Sequence, residues 1–292
     1  MKKYFSLVRF AHTIFAMPFA AVGFTLGACE RSAAEPFLPA GWWAVLLGKA
    51  VLCMIFARNA AMGFNRWADR RIDAENPRTA GRDIPAGRVT PREALTFVLI
   101  NSGLFLLTAA WINGLAGALA PAALAVVLGY SYCKRFTSLA HVVLGLALGI
   151  APAGAYIAAT GGLTVSVCLL SLAVLGWCAG FDIIYALQDA DFDRRRGLHS
   201  IPARFPVRTA LGISCGLHAV SLAALAGFMA TLPQGGLLWT GYGLFAAILV
   251  TEHLLVTPTR QRHIGLAFGT LNGLASLLLA LFVVVHLLLC MK

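Results

Sequence analysis

Residues 65–87 read NRWADRRIDAENPRTAGRDIPAG and directly follow residues 41–64, an apolar run long enough to cross a lipid bilayer as a helix. A second polar stretch, residues 182–200, reads DIIYALQDADFDRRRGLHS and also ends an apolar run. Nine of the twelve Asp and Glu residues lie in these two polar stretches or just after the first. Only 12% of the residues are charged, about half the share of a soluble domain, so this concentration indicates a chemical site.

The composition predicts an all-α integral membrane protein. Of the 292 residues, 59% are hydrophobic, and the chain divides into nine apolar runs near the length that a transmembrane helix needs. We therefore expect nine transmembrane helices in one bundle around a central cavity, with residues 1–292 forming a single domain. The predicted spans are residues 8–28, 41–64, 92–112, 114–132, 138–160, 163–187, 207–231, 236–257 and 263–290.

The basic residues predict the orientation of the bundle. Most of the 23 Lys and Arg residues lie in the N-terminus and in the links after the second, fourth, sixth and eighth spans. The positive-inside rule then places the N-terminus and both polar stretches on the cytoplasmic side of a cell membrane, with the C-terminus outside. These basic residues are not interleaved with aromatic residues on one surface, so we expect no nucleic-acid partner.

The seven cysteines show no paired spacing, which argues against a disulfide framework or a zinc site.

Helical spacing places the polar side chains of the first stretch on one stripe. If the second span continues as a helix, Arg58, Asn65, Asp69 and Asp73 fall within about 80° of one another. The stripe would carry an arginine, an amide and two carboxylates at one end of a span. The simpler alternative is a solvated helix end whose carboxylates pair with the neighbouring arginines at 66, 70 and 71.

The second polar stretch repeats this pattern with Asp182, Tyr185, Asp189 and Asp193. Asp182 ends an otherwise apolar run, and an ionisable group at such a depth usually marks a functional site because burying it is costly. The alternative is a structural aspartate that is hydrogen-bonded inside the bundle. Asp191 falls on the opposite side of the helix, so we do not expect it to join the site.

Two carboxylate stripes at one face of a membrane are typical of a Mg²⁺ site. Mg²⁺ binds few protein carboxylates and completes its coordination shell with water and substrate phosphate. Arg78 and Arg82 follow the first stripe, and Lys134 lies one turn after Tyr130 at the end of the fourth span. These cations could neutralise phosphate oxygens, although each alone could equally anchor the topology.

The polar stretches resemble the motifs of the UbiA superfamily of intramembrane prenyltransferases. The first family motif, N-D-x-x-D-x-x-x-D, has Arg66 here where many members carry Asp, and residues 76–82 continue it as NPRTAGR. Phe192 lies in a part of the second motif that is often more acidic, which affects the charge around the site and not the metal ligands. The matching residues are Asn65, Asp69 and Asp73 in the first motif, Tyr130 and Lys134 in Y-x-x-x-K, and Asp182, Tyr185, Asp189 and Asp193 in D-x-x-Y-x-x-x-D-x-x-x-D.

The resemblance covers the whole chain and implies a reaction. Polyprenyl diphosphate would ionise on Mg²⁺ to an allylic cation, and an electron-rich aromatic ring would attack it and then lose a proton. The implied metal ligands are Asn65, Asp69, Asp73, Asp189 and Asp193. The implied substrate-binding residues are Arg58, Asn65, Arg78, Arg82, Tyr130 and Lys134, and the catalytic set is Asp69, Asp73, Asp182, Tyr185, Asp189 and Asp193.

Within the family, the chain resembles the 4-hydroxybenzoate polyprenyltransferases. The acceptor would then be an aromatic carboxylic acid held by Arg58, either 4-hydroxybenzoate or the 1,4-dihydroxy-6-naphthoate of the futalosine route to menaquinone. We expect membrane lipid around the bundle and no obligate protein partner. His199 precedes Ser200 in the second polar stretch, and the sequence leaves open whether it contacts phosphate or is structural. The other histidines have no ligand spacing, so we interpret them as hydrogen-bonded structural residues.

Two other classes of protein compete with an enzyme of this kind. An ion-coupled secondary transporter would use intramembrane carboxylates, but these would lie near the midplane, whereas here they cluster at one face. A Mg²⁺-dependent phosphatidyltransferase would need a D-G-x-x-A-R run, which this sequence lacks. Metal-dependent release of diphosphate from a prenyl diphosphate would distinguish the three.

Overall fold

The computed structural model describes residues 15–290, which form helices and no β-strand. The predicted all-α class is therefore confirmed for this part of the chain. In order, the α-helices are α1 (Met17–Ala34), α2 (Ala40–Ala68), α3 (Arg70–Glu75), α4 (Pro91–Ile112), α5 (Gly114–Cys133), α6 (Ala140–Thr160), α7 (Val165–Ala186), α8 (Ala190–Arg196), α9 (Ile201–Arg204), α10 (Val207–Ala230), α11 (Gly236–Leu255) and α12 (Asn272–Cys290).

Eight helical segments in the described residues are long and apolar enough to cross a membrane, and they coincide with eight of the nine predicted spans. The first predicted span, residues 8–28, begins outside the described residues. Its described part lies in α1, which also carries Glu30 and Arg31 and is not among the eight. The protein is thus a multi-pass helical membrane protein, while the count of nine, the central cavity and the N-terminal orientation stay predictions.

Helix α7 lies at the centre of the bundle and packs mainly against α6 and α10. Its fully buried Trp177 contacts aromatic rings from two other helices, with centroid distances of 5.1 Å to Phe19 of α1 and 5.9 Å to Phe245 of α11. These rings belong to the largest apolar cluster of the described residues. Because α7 leads directly into the second polar stretch, this packing holds the stretch in place.

Small residues set the register between α6 and α7. A Cβ atom added at Gly149 would lie 2.7 Å from the carbonyl oxygen of Ser171, and one at Gly145 would lie 2.4 Å from that of Leu175. Only glycine permits so close an approach of the two backbones, as is common between membrane helices. One turn further towards the polar end, the same register brings His141 beside Asp182.

The helical stripe predicted through residue 73 is interrupted at Asp69. This residue ends α2 and precedes α3, with φ −88° and ψ 3°. The backbone hydrogen bonds nevertheless continue, because the N–H of Asp69 donates to Asn65 and that of Asp73 donates to Asp69. In the second stretch, the chain tightens into a 3₁₀ turn over Leu187–Asp189 before α8 begins. Both stripes are therefore bent helices and not straight ones.

Candidate active site

The carboxylate of Asp69 is buried at the polar end of α2, where two basic residues from the end of α5 and the following link hold it. Lys134 Nζ lies 2.7 Å from its Oδ2 atom, and Arg135 Nη2 lies 3.2 Å from its Oδ1 atom. The amide of Asn65, one turn earlier, is 3.5 Å from Oδ2. Of the neighbouring arginines in the simpler alternative, Arg70 donates to the carbonyl of Trp67 instead of pairing with Asp69.

The carboxylate of Asp73 is also buried and is paired within the first polar stretch. Arg82 Nη1 lies 2.7 Å and 2.8 Å from its two oxygens. The hydroxyl of Thr79 donates to the Asp73 carbonyl over 3.0 Å and so folds the loop back over α3. As a result, Arg82 reaches the carboxylate stripe from the loop that follows it.

Arg78 joins the first polar stretch to the second. Its Nε atom lies 2.8 Å from Asp189 Oδ1, its Nη2 atom also pairs with Asp189, and its Nη1 atom donates to the Tyr185 hydroxyl over 2.8 Å. Asn76 adds a fourth contact between the two stretches by donating to Asp189 Oδ1 over 2.9 Å. Burial lowers the pKa of the Arg78 guanidinium, but its hydrogen bonds and charge interactions with Asp189 and Tyr185 together outweigh burial, so the net pKa lies above its ordinary value.

Asp182 and Asp193 complete the second set of carboxylates. The Nδ1 atom of His141 lies 2.6 Å from Asp182 Oδ2. Asp182 is thus hydrogen-bonded inside the bundle, which is what the structural alternative for this residue predicted. Burial raises the pKa of Asp193, while its interaction with Ser200 opposes that rise. By contrast, Asp191 is 85% exposed and pairs with Arg194, away from the other carboxylates of the site.

Tyr130 and Arg58 lie deeper than the ion pairs. Tyr130, in α5, is within electrostatic range of Asp69 and Asp182, and Arg58, in α2, is within range of Tyr130. Tyr130 thus lies near carboxylates of both polar stretches. Nearer the surface, a cavity of about 360 Å³ is lined by Arg66, Arg78, Thr79, Gly81, Arg82, Asp83 and Arg88.

The structure thus brings the predicted site residues to one end of the bundle and adds three that the sequence did not reveal. Asn76 and Arg135 each contact a predicted metal ligand, and His141 contacts Asp182. In the sequence, Arg135 is one of the basic residues in the link after the fourth predicted span, and His141 is one of the histidines that we interpreted as structural. No local spacing could have identified them, because their partners lie 41 or more residues away in the chain.

The carboxylates and the amide at this site could bind a hard cation if a substrate supplied the remaining ligands of the metal. Among residues 15–290, no three His, Cys, Asp or Glu side chains lie close enough to hold a metal by themselves. Asp69, Asp73 and Asp189 are instead each paired with Lys or Arg. Oxygen ligands from two helix ends nevertheless match the few carboxylates that Mg²⁺ takes from a protein, with diphosphate and water supplying the rest.

The fold and this site define a helical membrane protein whose acidic and basic side chains meet at one end of the bundle. Residues 16–274 match the UbiA prenyltransferase family. The chain therefore belongs to that family, and it is a membrane-embedded prenyltransferase. This confirms the resemblance drawn from the motifs of the two polar stretches.

Individual relatives agree with this assignment. The chain is 33% identical over 223 residues to a 4-hydroxybenzoate octaprenyltransferase of Citrobacter koseri, covering 76% of this chain and 74% of that protein. It is 35% identical over 215 residues to the protein of the same name from Klebsiella pneumoniae, covering 73% and 72%.

Solved structures show the same fold. The apo structure of a UbiA homolog from Aeropyrum pernix K1 has a TM-score of 0.77 and 32% identity, covering 96% of this chain and 98% of that one. A UbiA homolog from Archaeoglobus fulgidus, bound to GPP and Mg²⁺, has a TM-score of 0.68 and 21% identity, covering 94% and 99%. At 21% identity, the second comparison supports the fold alone.

Proposed function

We propose that this protein transfers a polyprenyl group from polyprenyl diphosphate to the ring of an aromatic carboxylic acid, with 4-hydroxybenzoate as the acceptor. The observation that carries the proposal is the contact of Arg78 with Asp189 and Tyr185, which joins the two polar stretches into one site. The names of the relatives from Citrobacter and Klebsiella support the choice of acceptor. The proposed setting is the cell membrane, with the site opening to the cytoplasm.

The carboxylates of the two stretches would hold Mg²⁺, which neutralises the charge of the diphosphate and so makes it a better leaving group. The proposed ligands, direct or through water, are Asn65, Asp69, Asp73, Asp189 and Asp193. Magnesium on the homolog from Archaeoglobus fulgidus is consistent with this cofactor. In the structure, three of these carboxylates are bound by cations of the protein, so binding of Mg²⁺ must compete with those ion pairs.

The basic residues would stabilise the departing diphosphate. Arg78, Arg82 and Lys134 each contact one of the proposed metal ligands, so short side-chain movements would bring them to phosphate oxygens beside the metal. Their positive charge favours the developing negative charge as the C–O bond breaks. The surrounding apolar helices exclude water, which would otherwise react with the allylic cation.

Arg58 is the proposed binding residue for the acceptor. It lies seven residues deeper in α2 than Asn65, which corresponds to about 10 Å along a helix. The arginine and lysine side chains nearer the surface already serve the diphosphate, so the carboxylate of the acceptor is the anion that fits this depth. A bidentate pair would also orient the ring towards the allylic cation, with Tyr130 beside it.

An acceptor panel tests the proposal. Purified protein is incubated with a polyprenyl diphosphate, Mg²⁺ and either 4-hydroxybenzoate or 1,4-dihydroxy-6-naphthoate, and the products are weighed by mass spectrometry. We expect prenylated 4-hydroxybenzoate, no product with EDTA, and none from Asp73→Ala at matched levels of folded protein. If only the naphthoate is prenylated, the naphthoate is the acceptor instead of 4-hydroxybenzoate, and the proposed type of reaction still holds. Failure to release diphosphate with either acid would refute the function.

A further inference from the structure

His141 is a buried histidine whose two ring nitrogens are both hydrogen-bonded. Its Nε2 atom lies 3.3 Å from the backbone N–H of Ile201, and its Nδ1 atom lies 2.6 Å from Asp182 Oδ2. Because a backbone N–H can only donate, Nε2 must be the accepting nitrogen of a neutral ring. The proton therefore resides on Nδ1, and His141 donates to the Asp182 carboxylate.

The surroundings of the pair fix its geometry. Close contact at Gly145 holds α6 against α7, which carries Asp182. The end of the second polar stretch and the residue after it are both tied down here, because the N–H of His199 donates to the Lys134 carbonyl in the α5–α6 link over 2.7 Å and the N–H of Ile201 donates to His141 at the start of α6. The ring of His141 consequently has little freedom to turn away from Asp182.

Exposure distinguishes the two partners. The side chain of His141 is only 5% exposed, whereas that of Asp182 is 21% exposed and lies within electrostatic range of Tyr130 in the interior of the site. His141 occupies the Oδ2 atom of the carboxylate, and no hydrogen bond of the described residues engages its Oδ1 atom. Within residues 15–290, the pair therefore presents one oxygen that is held by His141 and one that has no hydrogen bond.

We propose that His141 is a positioning residue that holds Asp182 as the acceptor of the proton released by the aromatic ring. The inference rests on the proposed function. In the reaction, the C–O bond of the prenyl diphosphate breaks and its electron pair leaves with diphosphate, while the ring carbon forms a bond to the prenyl carbon. The proton on that ring carbon then passes to Asp182 Oδ1, and the C–H electron pair restores the aromatic ring.

The loss of one orienting hydrogen bond should slow proton removal until that step limits turnover. We expect His141→Phe, which fills the space without a donor, to lower kcat about 10- to 100-fold while leaving the KM for prenyl diphosphate unchanged. His141→Asn carries an amide nitrogen at the same distance from Cβ as Nδ1, so it should recover most of the rate. If His141→Phe is not recovered folded, His141→Gln, whose donor lies at the Nε2 position, replaces it.

The decisive measurement is the rate with an acceptor that is deuterated at the reacting ring carbon. We expect a deuterium isotope effect near unity in the unmodified protein, where bond ionisation is slow, and one clearly above unity in His141→Phe. As a matched control, His286→Phe removes a buried histidine bound to Pro233 in another part of the bundle and should show no isotope effect.

The outcomes separate this inference from the function on which it rests. If the unmodified protein prenylates no aromatic acid, the proposed function fails. If it is active, but His141→Phe shows either normal turnover or a loss without an isotope effect, the positioning role is refuted. A similar loss in His141→Asn and His141→Phe would also refute it, because the donor would then be irrelevant.

Discussion

Replacement of Arg78 by alanine should change the affinities for metal and for substrate in opposite directions. In the structure, the guanidinium is bound to Asp189 and Tyr185, so a carboxylate that we assign to Mg²⁺ is occupied by a side chain that we assign to diphosphate. Without Arg78, Asp189 would keep its hydrogen bond from Asn76 but lose the positive charge that competes with Mg²⁺. The diphosphate, however, would lose one of its cationic partners.

The size of each effect follows from the geometry. Arg78 and Asp189 keep 31% and 17% of their side chains exposed, so their charge-assisted pair contributes less than a fully buried one, about 1–2 kcal/mol. Release of this pair should tighten the binding of Mg²⁺ alone by about 5- to 30-fold. The lost bidentate contact should weaken the binding of prenyl diphosphate by about 10- to 100-fold.

Calorimetric titration of detergent-solubilised protein measures both constants, first with Mg²⁺ alone and then with a prenyl diphosphate at saturating Mg²⁺. Arg194→Ala is the matched control, because it removes the same charge from an exposed pair with Asp191 at the same end of the bundle. We expect both affinities of the control to stay within about twofold of the unmodified protein. Weaker binding of Mg²⁺ in Arg78→Ala would refute the competition between arginine and metal.

Two further predictions concern the acceptor and the topology. Arg58→Ala should raise the KM for the aromatic acid by at least about tenfold with little effect on that for prenyl diphosphate, and Arg58→Lys should restore it only in part because lysine lacks the planar fork. Separate KM measurements on matched membranes check this, and a loss confined to prenyl diphosphate would move Arg58 to the phosphate site. Cysteine labelling at Gly81 and a reporter at the C-terminus should report opposite compartments, and the same compartment for both would mean that the number of spans is not nine.

The sequence predicted the helices well because apolar runs of about 20 residues have few alternatives in a membrane. It also placed Asp69, Asp73 and Asp189 at helix ends, since their spacing follows the helical repeat. It could not predict the bend at Asp69. At this residue the carboxylate is held by Lys134 and Arg135 from the link after α5, and helical spacing alone does not reveal such tertiary contacts.

The partners of the carboxylates were harder to predict for the same reason. Arg78 and Asp189 are separated by 111 residues, and His141 and Asp182 by 41. Helical periodicity relates residues within a few turns, whereas these pairs depend on which helices pack together. The close contacts at Gly145 and Gly149 place His141 next to Asp182, because they fix the register of α6 against α7. That register cannot be read from the sequence.

The short link between α5 and α6 explains how two stretches so distant in sequence form one site. At its start, Lys134 binds Asp69 of the first stretch and accepts the N–H of His199 from the second. Just beyond its end, His141 binds Asp182. This link connects carboxylates from both stretches through one short segment of chain. We therefore expect the proposed diphosphate contact at Lys134 and the proposed proton acceptor Asp182 to be held at a fixed spacing by the few residues between Lys134 and His141.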